Sequence, residues 1–201
     1  PGGRGPTVRN GQDVLFDGGG FDGDDPLAAL TVACTTSNGA RIVRMLAGET
    51  EPGPAAGLAC LRLERESGDT STHADFALQM EGRGEIEWMA QGDPRGDNDH
   101  AMNVTLGQGS RSRIGLITRG TGNVFVLREN KWEDTGLTYD GTRWQRWRVC
   151  YAPSAETFEL TIGDQTRAGL PVSTPVPVDR FTFRCGHNHT LFFVDGVPST
   201  K

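Results

Sequence analysis

Apolar and polar residues alternate with a period of two in most segments of this chain. ADFALQME carries Phe76, Leu78 and Met80 at alternate positions, and EIEWMAQ, AMNVTLGQ, RIGLITRG and NVFVLRE show the same pattern between Gly, Asp or Asn residues. A period of two places successive side chains on opposite faces of a β-strand, whereas a helix requires a period near 3.6. Short strands at such regular spacing predict an all-β sandwich or barrel rather than βαβ units.

The C-terminal third predicts the strand faces most clearly. Trp147, Val149 and Tyr151 share one face of WQRWRVCYAP, and Phe181 and Phe183 share one face of FTFRC. An all-β chain of 201 residues is within the size range of one domain. We therefore predict roughly a dozen strands in a single domain over residues 13–201, preceded by a flexible leader or linker over residues 1–12.

The composition excludes two classes of partner and favours one compartment. A formal net charge of −6 opposes nucleic-acid binding, because phosphates require a basic face. No stretch approaches the roughly 18 apolar residues of a membrane-spanning helix. Cys34, Cys60, Cys150 and Cys185 are an even number of cysteines on scattered strands. We expect at least one disulfide and a secreted protein; buried thiols are the alternative.

The order of the last segments resembles the end of concanavalin A-like domains. It runs from a strand with paired tryptophans (WQRWRVCYAP) through a Gly-Asp turn, a Gly-Leu-Pro loop and FTFRC to LFFVDGV. The opening VLFDGGGF is similar to the first strand of such domains. The resemblance implies an all-β, two-sheet antiparallel jelly-roll sandwich that binds ligands on its concave sheet. The superfamily contains legume-type lectins, laminin G-like modules, family 16 glucanases and polysaccharide lyases.

Two carboxylates in GEIEWMAQ are candidates for catalysis. Glu85 and Glu87 lie two positions apart on a strand, so they project from one face about 7 Å apart. Glycoside hydrolysis uses a pair of carboxylates at such distances. The segment resembles the E-I-D-x-E strand of family 16 glucanases, although Met89 stands where the second catalytic glutamate would be. A solvated acidic face is the alternative.

A histidine and an arginine form a second candidate pair for catalysis. His100 ends the polar segment GDPRGDNDH, and Arg119 follows RIGLIT. A histidine base with an arginine that neutralises a uronate carboxylate would serve a polysaccharide lyase. Asn103 and Arg113, in the neighbouring strands, are candidates for ligand binding. Solvated polar residues explain the same pattern without a ligand.

Two tryptophans are candidate platforms for sugar rings, whose C–H groups pack on aromatic faces. Trp132 lies in the polar segment RENKWEDTG, and Trp144 faces away from the predicted core face of its strand. Trp88 and Trp147 are expected to pack internally. The alternative for Trp132 is a loop anchor that covers one end of the sandwich.

Aspartates near the two ends of the chain raise the question of a structural calcium ion. Asp17 and Asp22 lie in the first segments, and Asp195 lies in the last strand. Calcium prefers carboxylates together with backbone carbonyls. The resemblance implies that the first and last strands are neighbours, which would let these residues share an ion. Turns stabilised by aspartate side chains are the alternative.

Three functions from different classes remain open at this point, and we predict the first. It is a secreted carbohydrate-binding module that holds a polysaccharide or oligosaccharide on its concave sheet, alone or as part of a larger polysaccharide-processing protein. The second is a glycoside hydrolase or polysaccharide lyase on the same scaffold. The third is a structural or adhesion domain that binds no glycan. The discriminating feature is geometric: converging catalytic groups in a deep groove favour the enzyme, and an open face with an exposed tryptophan favours the binding module.

Overall fold

The computed structural model describes residues 7–10, 13–17, 34–36, 40–44, 59–65, 72–80, 83–92, 102–119, 122–152, 154–185 and 190–195. Within these ranges the chain forms sixteen β-strands, and none of it is a helix long enough to cross a membrane. The strands are β1 (Thr7–Asn10), β2 (Asp13–Asp17), β3 (Cys34–Thr36), β4 (Ala40–Arg44), β5 (Ala59–Arg65), β6 (His73–Met80), β7 (Gly84–Gly92), β8 (Met102–Gln108), β9 (Arg111–Arg119), β10 (Asn123–Arg128), β11 (Lys131–Thr138), β12 (Gln145–Tyr151), β13 (Thr157–Ile162), β14 (Gln165–Pro171), β15 (Val178–Cys185) and β16 (Thr190–Asp195).

The strands form two antiparallel sheets. The nine-stranded sheet has the order β14-β13-β12-β7-β16-β5-β4, and β1 and β2 are attached to it through the pairing of β1 with β7. The seven-stranded sheet has the order β11-β10-β9-β8-β15-β6-β3. One apolar core draws residues from both sheets. The prediction of an all-β, two-sheet antiparallel sandwich is confirmed.

The core lies where the alternation predicts it. Trp147, Val149 and Tyr151 of β12 are all buried, and so are Phe181 and Phe183 of β15 in the other sheet. Period-two alternation turns these residues inward and leaves the intervening residues on the two outer faces. The outer faces are therefore the surfaces available to a ligand.

Strand β7 has two partners along one edge. Asp195 of β16 lies opposite Met89, and Thr7 of β1 lies opposite Glu87, so the last and first strands occupy successive stretches of β7. Residues 7–10, which the sequence assigned to a leader, form β1. Asp17 of β2 in turn lies opposite Thr7. The first and last strands thus share β7 as a partner, whereas β2, which contains the first part of VLFDGGGF, pairs with β1 and not with β16.

The expected disulfide is not found among the described cysteines. Cys60 and Cys185 are buried in strands of opposite sheets, and Cys150 of β12 is a free thiol. The Cys150 side chain alternates with Trp147 and Val149, so it lies on the outer face of its sheet, where its Sγ donates to Oε2 of Glu85 at 3.6 Å. The side chain of Cys34, the fourth cysteine, lies outside the described residues.

Cys150 is expected to react slowly with iodoacetamide. Burial raises the pKa of its thiol from 9.0 to about 11, against the opposing effect of Arg148. At pH 8 the thiolate fraction then falls about a hundredfold, and the higher nucleophilicity of a more basic thiolate offsets part of this loss. We expect alkylation about tenfold slower in the folded chain than in urea, measured by peptide mapping at pH 8. Equal rates would contradict the raised pKa.

Candidate functional site: a polar groove on the seven-stranded sheet

A groove of about 320 Å³ crosses β6, β15 and β8 on the outer face of the seven-stranded sheet. Polar side chains on these strands alternate with the core residues Phe76, Phe181 and Val104, so they project outward. The side chains that line the groove include those of His73, Asp75, Asn103, Thr105, Arg111, Arg180, Thr182 and Arg184.

The strand register arranges these residues in rows. Arg184 of β15 lies opposite Asn103 of β8 on one side and opposite His73 of β6 on the other. Neighbouring strands are about 4.8 Å apart, and alternate residues along a strand about 7 Å apart. The groove is therefore lined by functional groups from the adjacent strands β6, β15 and β8, and Arg111 at the start of β9 adds one more.

The next row passes through Thr182, which lies opposite both Thr105 and Asp75. It is parallel to the row of Arg184 and two residues away along each strand. Hydroxyl groups and a carboxylate therefore lie beside the amide, imidazole and guanidinium groups of the first row.

Asp75 is the centre of a network in the groove. Its Oδ1 accepts a hydrogen bond from Thr182 Oγ1 at 2.5 Å, and its Oδ2 lies 3.4 Å from His73 Nε2 and 3.5 Å from Arg180 Nη1. The other terminal nitrogen of Arg180, Nη2, donates a hydrogen bond to the backbone carbonyl of Gly109. The network fixes the orientation of the aspartate and of Arg180 within the groove.

Gly107 shapes the end of the groove at the β8–β9 turn. The ladder between β8 and β9 shifts register between Leu106 and Gly107. A Cβ atom on Gly107 would lie 1.9 Å from the backbone oxygen of Arg111, so only glycine fits this approach. The bulge closes the turn tightly and brings Arg111 to the groove.

The same outer face continues beyond the groove as a more apolar surface. The row of Thr105 continues through Gly115 of β9 towards Leu127 of β10, which in turn lies opposite Trp132 of β11. A Cβ atom on Gly115 would lie 3.0 Å from the Leu127 Cβ, so the two residues touch. Leu127 and Trp132 are half-buried. Trp132 thus belongs to the same face as the polar groove.

The structure brings three of the sequence-predicted residues onto this face. Asn103 lines the groove, Trp132 lies on the apolar half, and the guanidinium of Arg119 lies over the Phe125 ring at 5.1 Å. The Asn103 Oδ1 is buried without a hydrogen-bond partner among the described residues.

Arg113 lies elsewhere, with its side chain buried at 3% exposure. Its Nη1 donates to the Val176 carbonyl at 2.8 Å, and its Nη2 donates to the carbonyls of Ala155 and Ala152 at 3.1 and 3.3 Å. These carbonyls belong to the loops before β13 and β15, so the side chain joins β9 to the loops at one end of the sandwich.

Glu85 and Glu87 lie on the outer face of the nine-stranded sheet, away from the groove. Glu85 Oε2 pairs with Arg148 Nη2 at 2.6 Å, and Glu87 Oε1 pairs with Arg146 Nη2 at 2.5 Å. Arg148 Nε is also 3.5 Å from Glu87 Oε1. Each carboxylate therefore has an arginine partner, and the structure does not bring either of them to Arg119.

The remaining candidates fall at other places. Trp144 is half-buried and precedes β12 of the nine-stranded sheet. Asp17 of β2 lies opposite Thr7 of β1, and Asp195 of β16 lies opposite Met89 of β7. A calcium ion bound by these aspartates stays a prediction. His100 and Asp22 lie outside the described residues.

Several groove residues were not selected from the sequence. His73 and Asp75 alternate with Phe76 in HADFALQM, and Arg180, Thr182 and Arg184 alternate with two phenylalanines in DRFTFRC. The signal was present as polar residues on the outward face of strands with strongly apolar inner faces. It did not show that β6, β8 and β15 are neighbours.

The comparisons with known proteins show the fold. No protein-family model matches the chain, and no curated protein matches its sequence. Among solved structures, a sialidase is similar over 84% of this chain and 19% of its own, with a TM-score of 0.55 and 10% identity. The binding domain of botulinum neurotoxin DC, solved in complex with rat synaptotagmin II, is similar over 94% and 45%, with a TM-score of 0.50 and 10% identity.

A galectin from Caenorhabditis elegans is similar over 69% of this chain and 96% of its own, with a TM-score of 0.46 and 9% identity. This chain spans less than half the length of the sialidase and of the toxin binding domain. The TM-scores of 0.55 and 0.50 support the β-sandwich fold, and at 10% identity they show the fold alone, so the function is argued from the groove.

Proposed function

We propose that this chain is a carbohydrate-binding module that holds a glycan on the outer face of the seven-stranded sheet. The observation that carries the proposal is the groove, in which hydroxyl, amide, carboxylate, imidazole and guanidinium groups from three strands line one concavity. Sugar hydroxyls both donate and accept hydrogen bonds, so they suit a site that offers both kinds of group. This sheet thus takes the role that the resemblance gave to the concave sheet.

The apolar half of the face supports the same function. Trp132 and Leu127 are half-buried and extend the row of Thr105 towards β11. Aromatic side chains contact the C–H faces of sugar rings. Five strand spacings separate β6 from β11, or about 24 Å, so a glycan that crosses the strands would meet hydroxyl-binding groups first and an aromatic surface next.

Binding fits the groove better than hydrolysis does. Glycoside hydrolysis uses two carboxyl groups that flank the scissile bond. Among the described residues that line the groove, Asp75 is the acid, and it is already engaged by Thr182 and Arg180. A screen of soluble polysaccharides by affinity electrophoresis tests the proposal. Released reducing ends and unsaturated products are measured on the same polysaccharides to detect hydrolase or lyase activity. Product formation, or retention by none of the polymers, would overturn it.

Trp132→Ala is expected to weaken binding of the best-retained polysaccharide about tenfold, because a lost aromatic contact of about 1.4 kcal/mol is one decade of affinity. Trp144→Ala is the matched control, since Trp144 is also half-buried but precedes a strand of the other sheet. We expect its affinity to stay within twofold of the wild type. A larger loss for Trp144→Ala than for Trp132→Ala would move the binding face to the nine-stranded sheet.

A further inference from the structure

We propose that the groove selects acidic glycans, because an arginine in it is placed to pair with a carboxylate or sulfate group of the sugar. This inference rests on the proposed function. Its first support is the charge of the groove: three arginines and one aspartate are among its described lining residues, so its formal charge is +2 when His73 is neutral. The whole chain carries −6, which makes the basic groove a local feature.

The aspartate does not neutralise all of this charge. Asp75 Oδ1 accepts from Thr182, and Oδ2 faces His73 and Arg180. Both carboxylate oxygens are therefore committed to neighbours within the groove. Arg180 is committed as well, since it also donates to the Gly109 carbonyl. Among the described residues, this network includes neither Arg184 nor Arg111.

Arg184 is the group best placed to receive an anion. Its side chain is exposed, it lines the groove, and it makes no ion pair with any residue that the structure describes. It lies between Asn103 and His73 in one row across three strands. A guanidinium binds a carboxylate or sulfate through two parallel N–H···O bonds, and groups on the flanking strands can bond to the rest of the sugar.

Arg111 supplies a second cation at the opposite end of the groove. The β8–β9 bulge at Gly107 brings its backbone against the groove, and its side chain is exposed. The two cations are thus separated along the strands, with Thr105 and Thr182 between them. A glycan that crosses the strands along the row of Thr105 therefore passes between the two cations, and its acidic groups meet positive charge on both sides.

The test compares polymers that differ only in charge. Polygalacturonate is measured against its carboxyl-reduced form, and dextran sulfate against unsubstituted dextran, by affinity electrophoresis at low salt. We expect the charged member of at least one pair to bind more than tenfold tighter, since one charge-assisted hydrogen-bonded pair contributes at least that factor. The first pair reports a carboxylate and the second pair reports a sulfate.

Arg184→Gln is expected to lower the preference for the charged polymer about tenfold, which is the contribution of one charge-assisted pair, and to leave binding of the neutral polymer within twofold. Arg167→Gln is the matched control, because Arg167 is an exposed arginine on β14 of the other sheet, and it should change neither affinity. Equal binding of charged and neutral polymers would overturn this inference and leave the proposed function standing. Absence of binding to all four polymers and to the wider panel would overturn the proposed function itself.

Discussion

Replacement of Trp88 by alanine is expected to lower the free energy of unfolding by about 3–5 kcal/mol. Trp88 is fully buried in β7, and its ring lies 5.8 Å from Trp147 of the same sheet. It also lies 5.4 Å from Phe181 and 5.6 Å from Phe183 of the other sheet. Truncation would therefore open a cavity at the centre of the contact between the sheets. Urea denaturation followed by circular dichroism measures the loss.

Two further variants separate the cavity from a general effect of losing a tryptophan. Trp144→Ala removes a half-buried side chain and is expected to cost less than half as much. Trp88→Phe keeps an aromatic ring and also removes an indole N–H that is buried without a hydrogen-bond partner among the described residues. Because such an orphaned donor costs about 1–3 kcal/mol, the phenylalanine variant should lose much less stability than the alanine variant. A loss for Trp88→Ala no greater than for Trp144→Ala would contradict this account.

Much of the core could be predicted from the sequence, because alternation acts locally. Trp88, Trp147 and Phe181 were each placed on an inner face by their immediate neighbours in the chain, and each is buried. The same local argument correctly predicted an all-β fold, and the resemblance to concanavalin A-like domains implied its two antiparallel sheets. The number of strands was underestimated, since the described residues alone form sixteen and the short β1, β3 and β4 carry little periodic signal.

The groove could not be assembled in the same way, because it depends on which strands are neighbours. Thr182 and Asp75 are 107 residues apart in the chain, yet Thr182 Oγ1 lies 2.5 Å from Asp75 Oδ1 in the structure. Alternation shows that both residues face outward, but the register between β6 and β15 is a long-range property. Asn103 and Trp132 were found from their residue types, whereas Asp75 and Arg184 needed the sheet order.

Arg113 shows how a local irregularity changes a face. Strict alternation in RSRIGLITR places Arg113 on the same side as Gly115 and Ile117, which belong to the outer face. The register instead passes from Leu106 opposite Ile114 to Gly107 opposite Ser112, so Arg113 is the extra residue of a β-bulge. A bulge re-aims the side chain at that point. The residue selected as a ligand contact thus has its side chain buried beneath the loops.

Arg113→Ala is expected to lower the free energy of unfolding by about 3 kcal/mol, because it leaves buried and partly buried carbonyls without their donor. The carbonyls are those of Val176 and Ala155, whereas the Ala152 carbonyl keeps the backbone N–H of Ala155 as a donor, and the guanidinium also lies 5.8 Å from the Tyr151 ring. For a chain of 201 residues this loss corresponds to a fall in Tm of about 6–12 °C. Differential scanning calorimetry measures it.

Arg113→Lys distinguishes a structural role from the ligand-binding role that the sequence suggested. An ammonium keeps the charge but lacks the planar fork of donors that reaches Val176 on one side and Ala155 on the other. We expect an intermediate loss of stability and, well below its Tm, glycan affinity within twofold of the wild type. Arg119→Ala, at an exposed arginine of the same strand, should leave the Tm within about 2 °C. If Arg113→Lys kept its Tm and lost glycan binding, Arg113 would act on the ligand and not on the loops.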